Sequence, residues 1–190
     1  MGFRTVSCFA IGLAFVAQGL SAQPVAFRVS AVDMVGGAVF PSQADPGVVF
    51  GARVGLFDLF ARSVQAGLEL EWWTAERPDV ELEIRDIVFG LAFLRQLSST
   101  GLLRPYFGLS AALHSVDASR LGGDRFLEGE SLAAQRISGN RAGAGAFVGL
   151  GLRLTGTGAI WLLVEYRYAA VSRVSHHEVR GGARLLASRP

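Results

Sequence analysis

The sequence predicts an all-β fold: an eight-stranded, antiparallel, up-and-down transmembrane β-barrel that follows a cleaved signal peptide. Three observations lead to this fold class. Apolar residues alternate with polar residues or glycine over most of the chain, which is the period of a β-strand. After the first residues, no apolar stretch reaches the ~20 residues that a membrane-spanning helix needs. The 190-residue chain is also 51% hydrophobic and contains 24 glycines.

The N-terminal segment has the features of a secretory signal peptide. Arg4 provides a positive start, residues 6–16 form a short apolar run, and the small residues Gly19, Ser21 and Ala22 precede a plausible cleavage point. We therefore expect residues 1–22 to be removed and residues 23–190 to form one barrel domain. The single cysteine, Cys8, lies in the removed part. A mature chain without thiols excludes a cysteine nucleophile, cysteine-ligated zinc and disulfides.

Four segments alternate regularly enough to predict strands. In residues 63–73, Leu68, Leu70 and Trp72 share one face, while Glu69 and Glu71 share the other. Residues 103–115, 141–154 and 160–170 alternate in the same way. Residues 25–40, 48–58, 79–95 and 175–187 complete a set of eight, which is the minimum for bacterial membrane barrels.

Two of these segments depart from strict alternation. Asp33 interrupts the pattern in residues 25–40. In residues 79–95, Glu81, Glu83 and Arg85 share a face, and the apolar set that begins at Ile87 then follows in the same alternate positions. A β-bulge near Arg85–Asp86 would restore the phase, so the sequence predicts one there.

The connections between strands differ in length. Tight turns are predicted near residues 58–63, 96–101 and 155–158. Longer connections are predicted at residues 41–47, 74–78, 117–138 and 172–176. With an even number of strands, all the longer connections lie at the end of the barrel opposite the termini, an asymmetry typical of membrane-spanning barrels.

The polar face carries charge of both signs and the apolar face carries almost none. This favours a barrel with lipid outside and charges in its lumen, because an Arg at the bilayer midplane costs ~2–4 kcal/mol. Since eight strands leave room only for side chains, we expect Arg–Glu pairs to close the lumen; a narrow channel lined by the same charges is the alternative. The predicted lumen network comprises Arg28, Arg53, Glu69, Glu71, Glu81, Glu83, Arg104, Arg141, Arg153, Glu165, Arg167, Glu178, Arg180 and Arg184.

Aromatic residues fall near the predicted strand ends on the loop side. They are Phe40, Phe50, Trp72 and Tyr168. Aromatic side chains at this height typically form a girdle at the membrane–water interface, and ordinary aromatic packing is the alternative.

Several short segments resemble the small outer-membrane β-barrel superfamily that includes the OmpA/OmpX-type proteins. The resemblance lies in RPYFGLSAA (104–112), AGAGAFVGLGLRL (142–154), LVEYRY (163–168) and RGGARLL (180–186). It implies a location in the cell outer membrane, with membrane lipid, lipopolysaccharide and the barrel insertion machinery as partners. The chain departs from the family at its end, where Ser188, Arg189 and Pro190 stand in place of the usual terminal aromatic residue.

The sequence favours a structural or surface-interaction role over catalysis. Loop 117–138 is the largest exposed feature and a candidate contact for an extracellular partner. A lipid A-modifying enzyme would have to use His114 with Ser115, or His176 and His177; each pair is adjacent on a strand and points to opposite faces, which also disfavours a metal site. We therefore expect no enzyme activity and no cofactor.

The net charge of the chain and the orientation of its apolar face bear on two further classes of protein. The net charge of +2, with scattered arginines, argues against nucleic acid as a partner. A soluble, ligand-binding periplasmic barrel remains the alternative if the apolar face points inward.

Overall fold

The structure is a computed structural model that describes residues 28–42, 44–59, 64–78, 81–97, 101–120, 137–156 and 159–187. Eight antiparallel strands form one closed barrel in which each strand pairs with the next and the last pairs with the first. The strands are β1 (Ala31–Pro41), β2 (Gly47–Leu59), β3 (Val64–Arg77), β4 (Leu82–Gln96), β5 (Leu103–Arg120), β6 (Gly139–Arg153), β7 (Ile160–Val171) and β8 (His176–Leu186). The predicted fold class, strand number and topology are confirmed.

The predicted signal peptide, residues 1–22, lies outside the described residues. Within the described part of the chain, no helix is long and apolar enough to cross a membrane.

Side chains alternate between an apolar exterior and a packed interior. Leu109 and Val164 are 62% and 61% exposed on the outer face, whereas Val49 and Trp73 are fully buried inside. A soluble barrel would show the opposite arrangement. A continuous apolar exterior is unfavourable in water and required in a bilayer, so the structure favours the membrane orientation.

The apolar exterior forms a belt with the height of a bilayer core. On β5 its outward residues run from Leu103 to Leu113, about 33 Å of strand at ~3.3 Å per residue. With a strand tilt of ~40°, this length spans about 25 Å, the height of the apolar band in membrane barrels. Phe40, Phe50, Trp72 and Tyr168 are all exposed on this outer surface, and Phe50 stacks on Trp72 with ring centroids 6.2 Å apart.

Three strands continue past the belt at the loop end, which we define as the end opposite Ala31 and Leu186. β3 extends to Arg77, β4 starts at Leu82, and β5 extends to Arg120. The prediction of a longer connection at residues 74–78 is therefore wrong, because Thr74–Arg77 pair with β4 without interruption. Residues 117–120 of the predicted loop 117–138 are likewise strand.

The predicted asymmetry in connection length is also wrong in its general form. The connections at residues 78–81 and 172–175 of the loop end are no longer than those at 97–102 and 154–159 of the opposite end. The difference between the two ends comes from the connection after Arg120 and from the extension of β3, β4 and β5.

The bulge predicted near Arg85–Asp86 is absent from the ladders that join β4 to its neighbours. Both ladders run through these residues in regular register. Glu83 and Arg85 share the outward face with Ile87 and Phe89, but lie beyond the belt, where charge is tolerated. The switch from charged to apolar residues in the sequence therefore marks the point at which the outward face of β4 passes from water into lipid. The register shift that does occur lies in β2, between Gly55 and Phe57.

Candidate functional site: the charged lumen

The barrel interior has three layers along its axis. Along β7 the inward residues are Leu163, Glu165, Arg167 and Ala169 in turn, all nearly fully buried, so the charges lie between apolar layers. The loop-end apolar layer contains Val39, Val49, Trp73, Ala75, Leu82, Ile84, Val88, Val116, Ala118, Ile137, Ala169, Val171 and Val174. The layer at the terminal end contains Ala92, Leu94, Tyr106, Phe147 and Leu163.

Arg167 on β7 joins the centre of the charged layer to β3. Its guanidinium donates to both oxygens of Glu69 and to Glu71 Oε1, the last at 2.5 Å. The other oxygen of Glu71 lies 2.7 Å from Arg180 Nη1 on β8. Each partner is at most 5% exposed. Such charge-assisted forks are strong because both charges are shielded from water and each supplies a partner to the other.

Arg53 on β2 makes a second connection across the lumen. Its Nη2 donates to both oxygens of Glu165 at 3.1 and 3.0 Å. Glu165 also accepts from Arg180, and from the hydroxyl of Tyr106 at 3.1 Å. The guanidiniums of Arg53 and Arg167 lie 4.6 and 5.0 Å from the centre of the Phe147 ring, in cation–π contact. Phe147 therefore forms the floor of the charged layer.

Arg184 on β8 pairs with Asp33 on β1. The guanidinium makes two parallel hydrogen bonds of 2.7 Å to the carboxylate. The two residues are direct partners in the ladder that closes the barrel. Asp33, which interrupts the alternation in the sequence, is thus a lumen residue with a specific partner.

His176 is a further member of this layer. Its Nδ1 lies 3.0 Å from the carbonyl oxygen of Val174, and its Nε2 lies 2.9 Å from Glu178 Oε1. The layer thus contains four arginines and His176 beside five carboxyl groups, and the full set is Arg53, Arg167, Arg180, Arg184, His176, Asp33, Glu69, Glu71, Glu165 and Glu178.

A second buried histidine lies beside this network. His114 Nδ1 is 2.7 Å from Asp86 Oδ2, and the ring meets that of His176 edge to face at a centroid distance of 6.2 Å. Its neighbour Ser115 points outward, so the hydroxyl and the imidazole lie on opposite sides of the barrel wall. The pair cannot act as nucleophile and base. His177 is likewise on the outer surface, where its Nδ1 lies 2.5 Å from the hydroxyl of Tyr166.

A small cavity lies in the lumen between the two histidines. It is lined by Glu71, Ser110, His114, Arg167, His176 and Glu178, with Gly143 and Gly145 on one wall. A Cβ at Gly143 would lie 2.6 Å from His114 Nε2, and one at Gly145 would lie 2.6 Å from Ser110 Oγ. These glycines therefore leave room for the ring and the hydroxyl. Within the described residues, no three His, Cys, Asp or Glu side chains are arranged to hold a metal ion.

The structure brings eight of the fourteen predicted lumen residues together in this network, and these are Arg53, Glu69, Glu71, Glu165, Arg167, Glu178, Arg180 and Arg184. The other six lie elsewhere. Arg28 is exposed before β1, and Glu81 is exposed in the β3–β4 turn with a φ of 49°. Arg141 is at the loop-end rim, where it donates to the carbonyl of Ser172 at 2.8 Å. Arg104 and Arg153 are at the terminal-end mouth.

Glu83 is the clearest correction among these six. It faces outward beyond the belt and pairs with Arg85, whose guanidinium donates at 2.9 and 2.7 Å. The hydrogen bonds from Arg85 lower the pKa of the Glu83 carboxyl. The sequence predicts Glu83 in the lumen because it shares a charged face with Glu81 and Arg85, but beyond the belt the outward face of β4 is itself charged.

Sequence reasoning left four polar members of the interior out of the network. They are Asp33, Asp86, His114 and His176. Asp86, His114 and His176 occupy inward positions by the alternation of their own strands, whereas Asp33 interrupts the apolar pattern of its segment. An inward position in the alternation is therefore the sequence signal for a lumen residue, and it applies to Asp and His as well as to Arg and Glu.

No family model and no curated protein matches the sequence. Among solved structures, Neisserial surface protein A (NspA) is similar over 83% of this chain and 96% of its own, with 16% identity and a TM-score of 0.61. The N-terminal β-barrel domain of Pseudomonas aeruginosa OprF covers 83% of this chain and 97% of its own at 13% identity and a TM-score of 0.47. Ail, the attachment invasion locus protein of Yersinia pestis, covers 83% and 100% at 12% identity and a TM-score of 0.45. The similarity to NspA, together with the closed eight-stranded topology, shows that the chain has the fold of the small eight-stranded outer-membrane β-barrels.

Proposed function

We propose that this protein is a structural barrel of the bacterial outer membrane that acts through its extracellular surface and is neither a pore nor an enzyme. The observation that carries the proposal is the closed lumen, in which a layer of ion pairs lies between two apolar layers. In barrels of this type short turns face the periplasm and longer loops face outward, so the loop end is taken as extracellular.

The loop-end layer argues against conduction. Val39, Val49, Trp73 and Leu82 are fully buried there, and together with Ile84 they fill the lumen above the charges. An ion crossing this layer would lose its hydration with no polar group to replace it. On the terminal side of this layer, every arginine of the network already has a carboxylate partner, so the charged layer closes the lumen.

The surface that would meet a partner is the extension of β3, β4 and β5. Its outward face beyond the belt is polar and carries Thr74, Glu76, Glu83, Arg85, Ser115, Asp117 and Ser119. Its inward face is apolar and packs in the loop-end layer, which makes the extension rigid. Residues 121–136 join this extension to β6 and lie outside the described residues; they are the proposed contact for an extracellular partner, and the belt is the contact for lipid and lipopolysaccharide.

Two features of biogenesis belong to the same proposal. Residues 1–22 are removed as a signal peptide, and Edman sequencing of the protein isolated from membranes should begin at residue 23. The insertion machinery recognises β8, whose outward residues Val179 and Leu185 are exposed to lipid.

The test combines location, conductance and binding. The full chain is expressed in a Gram-negative host, and we expect a heat-modifiable band in the outer-membrane fraction and no steady conductance in planar bilayers. A variant with residues 121–136 replaced by a short Gly-Ser turn should keep that band and lose adhesion of whole cells to immobilised matrix proteins. A soluble periplasmic protein, a stable open pore, or adhesion unchanged by loop replacement would contradict the proposal.

A further inference from the structure

Two arginines at the terminal-end mouth of the lumen differ from every arginine of the network. Arg104 on β5 and Arg153 on β6 face inward beyond the apolar layer at the terminal end, and both are half-buried. Among the described residues, neither guanidinium has a carboxylate within ion-pair distance. Arg104 pairs with Gly151 in the ladder, and Arg153 lies two residues further along the same face of β6, so the two like charges are near each other.

The fold holds this pair of like charges in place. The guanidinium carbon of Arg104 lies 4.3 Å from the centre of the Trp161 ring, and Trp161 is 3% exposed. Arg153 is the ladder partner of Trp161, and Arg104 is the partner of Gly151. A Cβ at Gly151 would lie 3.3 Å from Trp161 Cε3, so glycine leaves room for the indole. The two arginines therefore face the lumen from neighbouring strands, and the guanidinium of Arg104 lies over the Trp161 ring.

One donor of Arg104 is left without an acceptor. Its Nε is shielded from solvent and makes no hydrogen bond. A buried donor without a partner is unfavourable, and so are two unneutralised guanidiniums side by side. A bound anion would remove both costs at once.

We propose that Arg104 and Arg153 form a binding site for a phosphate group at the periplasmic mouth of the barrel. Guanidinium forks match phosphate oxygens in two parallel hydrogen bonds. Inorganic phosphate carries about −1.5 to −2 charge at neutral pH, which would neutralise most of the positive charge of the two arginines. The phosphodiester of a phospholipid headgroup carries a single negative charge and would neutralise one of them. The phosphate comes either from solution in the periplasm or from the headgroup of an anionic phospholipid in the inner leaflet.

The experiment is calorimetric titration of inorganic phosphate into the folded full-length barrel in a maltoside detergent. We expect saturable binding that weakens about tenfold or more in Arg104→Gln and in Arg153→Gln, as loss of a charged hydrogen bond predicts. Arg95→Gln is the matched control, because Arg95 is exposed on the outward face at the same end. Its binding should equal that of the wild type, and a heat-mobility shift on gels verifies that each variant is folded.

A second titration in nanodiscs distinguishes the two sources. If free phosphate is the ligand, the affinity is the same in discs of phosphatidylcholine and in discs that also contain phosphatidylglycerol. If a headgroup is the ligand, phosphatidylglycerol suppresses the response of the wild type, and 31P spectra show a lipid phosphorus perturbed by the wild type but not by Arg104→Gln. No saturable binding by the wild type in either setting, or equal binding by folded Arg104→Gln and Arg153→Gln, would overturn the proposal.

Discussion

Arg53 on β2 donates two hydrogen bonds to the carboxylate of Glu165 on β7, a residue 112 positions away in the chain. The two strands are not neighbours in the sheet. The contact therefore joins walls of the barrel that no backbone ladder connects.

Removing one charge of this pair should cost much more than removing both. Arg53→Met leaves Glu165 buried with one fewer partner, and we expect a loss of about 3–5 kcal/mol in the free energy of unfolding. The double variant Arg53→Met/Glu165→Leu should lose clearly less than the sum of the two single variants. Urea unfolding in phospholipid vesicles measures all three, and additive losses would indicate that the pair contributes nothing as a pair.

The orientation of the belt can be tested on β5 alone. Leu109 lies in the middle of the belt, whereas Ser115 lies on the same face near its loop-end edge. We expect Leu109→Arg to destabilise the barrel by ~2–4 kcal/mol and Ser115→Arg by ~0–1 kcal/mol. Vesicle unfolding titrations give both values. Equal values would mean that this face does not meet hydrocarbon.

Glycine at position 149 leaves space for Tyr106. A Cβ there would lie 2.3 Å from Tyr106 Cζ, and this ring is held by its hydrogen bond to Glu165. We expect Gly149→Ala to cost about 1–3 kcal/mol through forced repacking. Gly181→Ala is the matched control, because the nearest atom to its added Cβ is 3.7 Å away. If both changes had the same effect on the urea midpoint, the close approach would not limit the packing.

The charge state of His176 can be observed directly. Because both ring nitrogens face acceptors, long-range 15N–1H spectra of the barrel in micelles should show two protonated nitrogens for this ring. We also expect His176→Gln to lose about 1.5–3 kcal/mol, the range for a hydrogen bond to a charged group. A single protonated nitrogen would instead place the missing proton on Glu178, which Glu178→Gln would then mimic without loss of stability.

Much of the barrel could be predicted because lipid and lumen impose opposite chemistry on alternate residues. In β3, Leu68 and Leu70 alternate with Glu69 and Glu71, and the structure places the first pair outside and the second inside. The strand number and the core of the ion-pair network follow from the same regularity. The partner of each charge does not, since Arg53 and Glu165 meet only through the curvature of the closed barrel.

The errors on β3 and β4 have one physical source, which is that a strand of this barrel passes through more than one solvent. Glu83 and Arg85 share the outward face with Ile87, and in the sequence the charged end of this face resembles a lumen face. The loop predicted at residues 74–78 has the same origin, since Thr74 and Glu76 are outward positions of β3 in water. Alternation reports which side a residue faces, but not how far along the axis the surroundings change.

The bond between Asp33 and Arg184 bears on how the barrel is assembled. These residues belong to the first and last strands, so their ladder is the seam at which the sheet joins itself. A slip of one residue at the seam would turn one of the two charges toward hydrocarbon, while the other stayed inside without a partner. Only the correct register forms the bond without exposing charge to lipid. The pair thus favours the correct register at the seam, and it joins residues 151 positions apart in the chain.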